Sequence, residues 1–306
     1  MKVKPVNKRV KSKYTLKKLV AEDGIPLLVI VPFAVLFFMF FHVPVIKGFI
    51  YSLTNWNGID INYKFIGLDN YKNALTDERF WNSIIFTLKY SVIVSLLVNI
   101  IGFFIALLLN QKIKFRNTFR GIFFFPAVLS LLTIGYIFNN LYYYFFPSIG
   151  KALNITALQT NILGDEKLAM WGIIIVNVWQ GIAMTIVVYL AGLQTVPISI
   201  YECARVEGAN TRKILTNITL PLIIPSITIN LILNIRGGLS VFDYIVALTG
   251  GGPGVATESI VLFIFSKGYS STKIGFGSAS SVILFIMFVL IAVTQIVYLR
   301  KREVEY

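Results

Sequence analysis

The chain has 306 residues, of which 56% are hydrophobic and only 14% charged, with a mean hydropathy of +0.75 and a formal net charge of +14. So little charge, with the apolar residues gathered in long runs, excludes an ordinary soluble domain and describes a polytopic membrane protein. One cysteine and one histidine leave nothing for an internal disulfide or a cysteine metal cluster and little for a histidine-relayed centre; the positive charge speaks to membrane sidedness, not to nucleic acid.

The chain starts with a basic tail, residues 1–25, holding Lys2, Lys4, Lys8, Arg9, Lys11, Lys13, Lys17 and Lys18. No small-residue cleavage site follows a short apolar core, so the first apolar stretch is expected to remain as a membrane anchor. Six stretches then approach the roughly 20 residues that a helix needs to cross the hydrocarbon layer. They run from Leu27 to Tyr51, Ser83 to Leu109, Gly121 to Phe145, Trp171 to Leu193, Leu222 to Leu248 and Ser280 to Leu299. Each is predicted to be a helix, because lipid offers no partner for unpaired backbone groups. His42, beside Pro44 in the first span, reads as a packed, hydrogen-bonded histidine. Trp56, Tyr142, Tyr143 and Tyr144 read as interfacial aromatics, with their polar tips at headgroup level.

The connecting segments alternate in charge. Lys112, Lys114, Arg116 and Arg120 follow span 2, Arg205, Arg212 and Lys213 follow span 4, and Arg300, Lys301 and Arg302 end the chain. The intervening loops are longer and hold Asp60, Asp69, Asp77, Glu78, Asp165, Glu166 and Glu258. The positive-inside rule therefore predicts both termini in the cytoplasm. The basic tail is a topology signal attracted to anionic lipid, or a partner site. Leu68 to Trp81 reads as a two-helix outer loop.

The loop after span 4 is predicted to form two short helices with a glycine corner. Pro197 stands where a helix can start, and Ser199 with Glu202 has capping-box spacing. Gly208 is placed to end that helix in a left-handed conformation, Asn210 to cap the next, and Pro221 to open span 5. On these residues alone the loop is either a docking surface or an amphipathic connector at the membrane face.

Polar residues inside spans face a cavity or another helix. Span 4 offers Asn177, Trp179 and Gln180, and span 5 offers Asn230, Asn234, Arg236, Asp243 and Tyr244. They either line a solute path or tie helices together. Gly237-Gly238 is expected to interrupt span 5, with Arg236 and Asp243 on one side of it. Gly250-Gly-Gly-Pro-Gly254 has to be a turn. Lacking the Lys-Ser/Thr of a phosphate-binding loop, it reads as a helix stop or an outer gate, with Gly251, Gly252, Pro253 and Glu258 as candidates for contact with an external protein.

Glu202-Cys-Ala-Arg-Val-Glu-Gly208 with Ile218-Thr-Leu-Pro221 resembles the EAA loop of binding-protein-dependent ABC importer permeases, Cys203 replacing the usual alanine. Phe65-Ile-Gly-Leu-Asp-Asn-Tyr71 and Val241-Phe-Asp-Tyr through Pro253 resemble further motifs of the carbohydrate-uptake members (the maltose, glycerol-phosphate and multiple-sugar type). The resemblance implies an all-α, type I permease fold, with the permease domain over 26–300, a coupling loop at 195–221 and a short tail at 301–306. It implies that Glu202, Ala204, Glu207, Gly208 and Ala209 dock on an ATPase. The implied partners are a second homologous permease, two ATPase subunits, an extracytoplasmic solute-binding protein and membrane lipid. ATP and Mg are used by the ATPase, so no cofactor is expected in this chain. The implied cargo is a sugar or oligosaccharide, with glycerol phosphate as the alternative.

Two rivals remain at this stage. An ion-coupled secondary transporter needs intramembrane acids, and the spans hold little beyond Asp243. An intramembrane enzyme needs a nucleophile near a base, whereas Cys203 and His42 lie in different regions.

Overall fold

The computed structural model describes residues 24–300; the basic tail residues up to Lys18 and the residues beyond Arg300 lie outside them. The described residues are helical, joined by turns, and include one isolated antiparallel bridge between Thr54 and Phe65. Helix α1 (24–51) passes through a π-helical turn at Phe38–His42. Then come α2 (Asp69–Thr76), α3 (Glu78–Asn110), α4 (Arg116–Val128) and α5 (Leu131–Ala152). They are followed by α6 (Ala169–Thr195), α7 (Ile198–Val206), α8 (Thr211–Leu222) and α9 (Ile224–Leu239). Helices α10 (Asp243–Leu248), α11 (Ile260–Ser270) and α12 (Ile274–Arg300) complete the order.

Four unbroken helices are long and apolar enough to cross a membrane: Ile30–Tyr51, Glu78–Asn110, Ala169–Thr195 and Ile274–Tyr298. The other two expected spans are bent. Helices α4 and α5 meet at 97°, and α8 and α9 at 67°. The first bend follows Pro126, which carries no amide hydrogen, and the chain turns extended at Leu129 and Ser130. The second is centred on Ile223, between Pro221 and Pro225. Pro221 therefore lies inside the helical run that precedes the bend, and span 5 opens at Ile224, not at Pro221.

The core is built on α3, α6 and α9. Helix α3 turns Ser83, Thr87, Ser91, Ser95 and Asn99 inward at four-residue intervals, all of them buried. A stripe of small residues lets helices approach closely where lipid supplies no hydrophobic drive. Gly238 uses this: a Cβ on it would lie 2.6 Å from the Cα of Ser91. The Ser91 hydroxyl donates to the Ile235 carbonyl at 3.0 Å. The expected interruption at Gly237-Gly238 does not occur, because Gly238 serves close packing within α9. The helix stops just after it, and Ser240–Phe242 separate it from α10. Arg236 and Asp243 thus lie on different helices, both exposed and with no ion pair between them.

Helix α1 stands at the edge, with no buried residue in its apolar window, and meets the rest chiefly through α12. His42 is exposed there, stacked on Phe38 at 5.2 Å. That corrects its expected burial: α1 has no second helix over that face. Tyr142 is a correction of the opposite kind. It is buried, and its hydroxyl donates to the Gly172 carbonyl at 3.2 Å.

Candidate functional site

Three arrangements hold the residues singled out in the sequence. The first is an elbow at one end of the bundle, made by α7, Gly208 and α8. Helix α7 begins after Pro197 without a side-chain cap, so the Ser199–Glu202 capping box does not form. Pro197 sets the start without it. The C-terminus does follow the predicted chemistry. Gly208 has φ +77°, its amide donates to the Arg205 carbonyl, and the Ala209 amide reaches the Ala204 carbonyl. This double closure satisfies carbonyls that a helix end leaves free. Asn210 Oδ1 accepts from the Lys213 amide at 2.9 Å and starts α8.

No residue of α7 is buried. Glu202 and Glu207 are exposed, Ala204 and Ala209 half-buried. Val206 keeps 89% and Ile198 73% of its surface exposed. Nothing lies within 4 Å of a Cβ built on Gly208. The elbow returns to the bundle through Tyr201, whose hydroxyl accepts from Thr219 at 3.4 Å.

The second arrangement is a polar seam along α3, α6 and α9. Asn177 donates to the Tyr90 hydroxyl at 2.7 Å. Gln180 donates to the carbonyls of Pro126 and Leu129 at 3.2 and 3.0 Å, and accepts from the Tyr244 hydroxyl at 2.6 Å. Both carbonyls end α4 at the bend; that of Pro126 also accepts from the Leu129 amide at 3.3 Å, while that of Leu129 depends on Gln180. In lipid an unpaired carbonyl is costly, so Gln180 makes the bend tolerable. Asn230 donates to the Thr185 carbonyl and Asn234 to the Thr185 hydroxyl, at 3.3 and 3.1 Å. The four amides and Tyr244 are therefore bonded within the chain, while Trp179, packed on Phe138, and Asp243 keep open faces.

The third arrangement lies in the loop 249–259. The Thr257 hydroxyl donates to the Gly252 carbonyl at 2.7 Å and pairs with the Thr249 hydroxyl at 2.8 Å. The Gly252–Pro253 peptide is cis, and Gly251 is buried with φ +95°. Glu258 is 4% exposed and takes both arms of Arg79, Oε2 from Nε and Oε1 from Nη2, each at 2.6 Å. The Ile260 amide donates to Thr87 at 2.9 Å. Lys267 adds a looser pair with Asp77 at 3.8 Å. Sequence reasoning left Arg79 out, since 179 residues separate it from Glu258. The four-residue ladder on α3 was visible in the sequence and was the missed signal for the packing face. Among the described residues no cluster of His, Cys, Asp or Glu is suited to a metal ion.

The profile of the binding-protein-dependent transport system inner membrane components matches residues 98–302. The chain belongs to that family. A multiple sugar-binding transport system permease of Streptococcus mutans is 41% identical over 266 residues, 87% of this chain and 92% of the relative. A probable starch degradation products transport system permease of Thermoanaerobacterium thermosulfurigenes is 36% identical over 263 residues, covering 86% and 89%. A chain from the crystal structure of a bacterial ABC transporter that imports the acidic polysaccharide alginate superposes with a TM-score of 0.80 at 22% identity, covering 94% and 98%; it shares the fold. The chain is thus a multi-pass, non-catalytic permease of the inner membrane, an all-α protein as expected.

Proposed function

We propose that this permease is one of two homologous membrane subunits of an ATP-driven sugar importer. It works with two ATPase chains that bind ATP and Mg and with an extracytoplasmic solute-binding protein. The relatives named for sugars and starch products support a sugar or oligosaccharide as cargo. Both termini lie in the cytoplasm, which puts the elbow inside and the loop 249–259 outside.

The observation that carries the reading is the elbow's exposure. It is closed by its own hydrogen bonds and yet presents Val206 and Ile198 to solvent beside Glu202 and Glu207. Apolar side chains so displayed on a rigid corner suit a groove on another protein. Glu202, Ala204, Glu207, Gly208 and Ala209 form the contact with the ATPase. Closure of the ATPases pushes the elbow, and the α8–α9 bend passes that push to the core. Only states that bind solute differently can be coupled in this way.

Asn177, Trp179, Asn234, Asp243 and Tyr244 keep open surface beside the seam and border the solute path, while Gln180 and Asn230 are buried and hold the helices that shape it. Gly252 and Pro253 shape the outer surface that meets the binding protein, whereas Gly251 and Glu258, expected in that contact, are buried beneath it, Glu258 held by Arg79. The exposed Cys203 allows a direct test. In the assembled importer it is expected to crosslink to cysteines placed around the ATPase surface, with a yield that changes on ATP binding. Labelling of Cys203 from outside intact cells by a membrane-impermeant maleimide overturns the orientation and with it the coupling role. For the path, Asn234→Ala is expected to slow uptake; full uptake with normal ATPase coupling removes Asn234 from it.

A further inference from the structure

A second polar cleft, separate from the seam, opens at the end of the bundle opposite the elbow. It lies between α5, the 3-10 turn Ile162–Gly164 and the run from α10 into the glycine loop, and has a volume of about 650 Å³. That is the size range of small-molecule sites. Its lining holds no carboxylate and no basic side chain: Asn139, Asn140, Tyr143, Tyr144 and Thr249 supply the polar side chains. The other outer cleft, near Trp56, includes Asp77, Lys267 and Lys273 and so has charge at its wall.

The hydrogen-bonding state of the lining is informative. Asn139 Nδ2 is committed to the Leu248 carbonyl at 2.7 Å and Asn140 Nδ2 to the Tyr136 carbonyl at 2.9 Å. Each amide keeps its oxygen as an acceptor and one N–H as a donor. The Tyr143 and Tyr144 hydroxyls have no partner among the described residues, and their rings stand 6.1 Å apart with 55% and 69% of each residue exposed. Acceptors, hydroxyls that both donate and accept, and aromatic faces are the complement of a neutral polyol. Its hydroxyls need such partners and its C–H faces pack on rings. A phosphate or a carboxylate needs a cation or a cluster of amide donors, and no cation lines this cleft.

We infer that the cleft between Asn139–Tyr144 and Thr249–Pro253 is an outer subsite for a neutral oligosaccharide, occupied before the sugar reaches the polar seam. The inference rests on the proposed sugar cargo and narrows it to uncharged chains. Headgroup-level packing of Tyr143 and Tyr144 is the competing role, and it predicts no dependence on sugar.

The test uses the complete importer in proteoliposomes with its binding protein. Uptake of maltotriose, raffinose, arabinotriose and sn-glycerol 3-phosphate by the wild type comes first. Transport of glycerol 3-phosphate alone, or of none of the sugars, overturns the sugar cargo and this inference together. With a sugar that is carried, Asn140→Cys in a Cys203→Ser background is labelled by a membrane-impermeant maleimide. This is done in the permease–ATPase complex without the binding protein, so that protection reports sugar and not the docked carrier. Labelling is expected to slow severalfold in the presence of the sugar, while Asn73→Cys in the charged cleft is unaffected. Tyr143→Ala with Tyr144→Ala is expected to raise the KM for uptake about tenfold, equivalent to about 1.4 kcal/mol. Sugar uptake with equal labelling rates and an unchanged KM overturns the subsite alone.

Discussion

The elbow at 198–222 and the loop at 249–259 both turn on glycines and prolines at opposite ends of one bundle, yet they are finished differently. The loop completes its contacts within the chain. Thr257 and Thr249 tie its turn, Glu258 is buried under Arg79, and Ile260 is bonded to Thr87. The elbow satisfies its backbone through Gly208 and Asn210 but leaves its side chains uncovered. A loop stitched to its own scaffold holds a shape, whereas a closed corner with open side chains is shaped for something else. Changes at the loop should therefore register first as stability, and changes at the elbow first as transport.

The largest expected effect is from Gly208→Asp. A charged side chain at the corner blocks close docking, and at φ +77° it adds local backbone strain of about 1 kcal/mol, so uptake should be lost while membrane insertion persists and the melting temperature falls only slightly. An uptake assay beside a thermal melt in detergent checks both halves, and a matching fall in stability would erase the contrast between the two regions. Next comes Arg79→Ala, which leaves the buried Glu258 carboxylate without its partner. About 2–3 kcal/mol should be lost, toward the low end because the Arg79 side chain keeps 39% exposure. A lower melting temperature, partly restored by adding Glu258→Gln, would identify the buried charge as the cause.

Thr257→Val removes the hydroxyl that bonds Gly252 and Thr249 and should cost about 1–2 kcal/mol, with faster proteolysis in the outer loop as the local readout. The smallest effect is Asn210→Ala, which removes the cap from α8. It should cost about 1 kcal/mol, read as faster amide exchange at Thr211–Lys213 with little change in the global melt. If uptake falls much further than this cost accounts for, elbow rigidity itself is part of the coupling.

The elbow was legible in the sequence because its determinants are local. Gly208 and Asn210 act on amides and carbonyls within five residues of themselves. The Ser199–Glu202 pair shows the limit of such reading, since Pro197 starts the helix and the cap spacing goes unused. The spans were legible for their apolar length, but two of them bend. Pro126 carried the signal for the first bend; the acceptance of that bend depends on Gln180, which reaches it from another helix. Asn230 and Asn234 were visible as polar and one turn apart, yet nothing in their spacing marked Thr185 as their common partner.

By itself the sequence determined which stretches are apolar enough to cross a membrane and where the backbone has to turn. These follow from apolar length, from the dihedral freedom of glycine and from the missing amide hydrogen of proline, all properties of neighbouring residues. Only the tertiary structure decided that Arg79 faces Glu258, that Gly238 lies on Ser91, and that Asn139 to Tyr144 meet the glycine loop across a cleft. Those pairings depend on how separate helices cross, and helix crossing is set by the packing of whole faces.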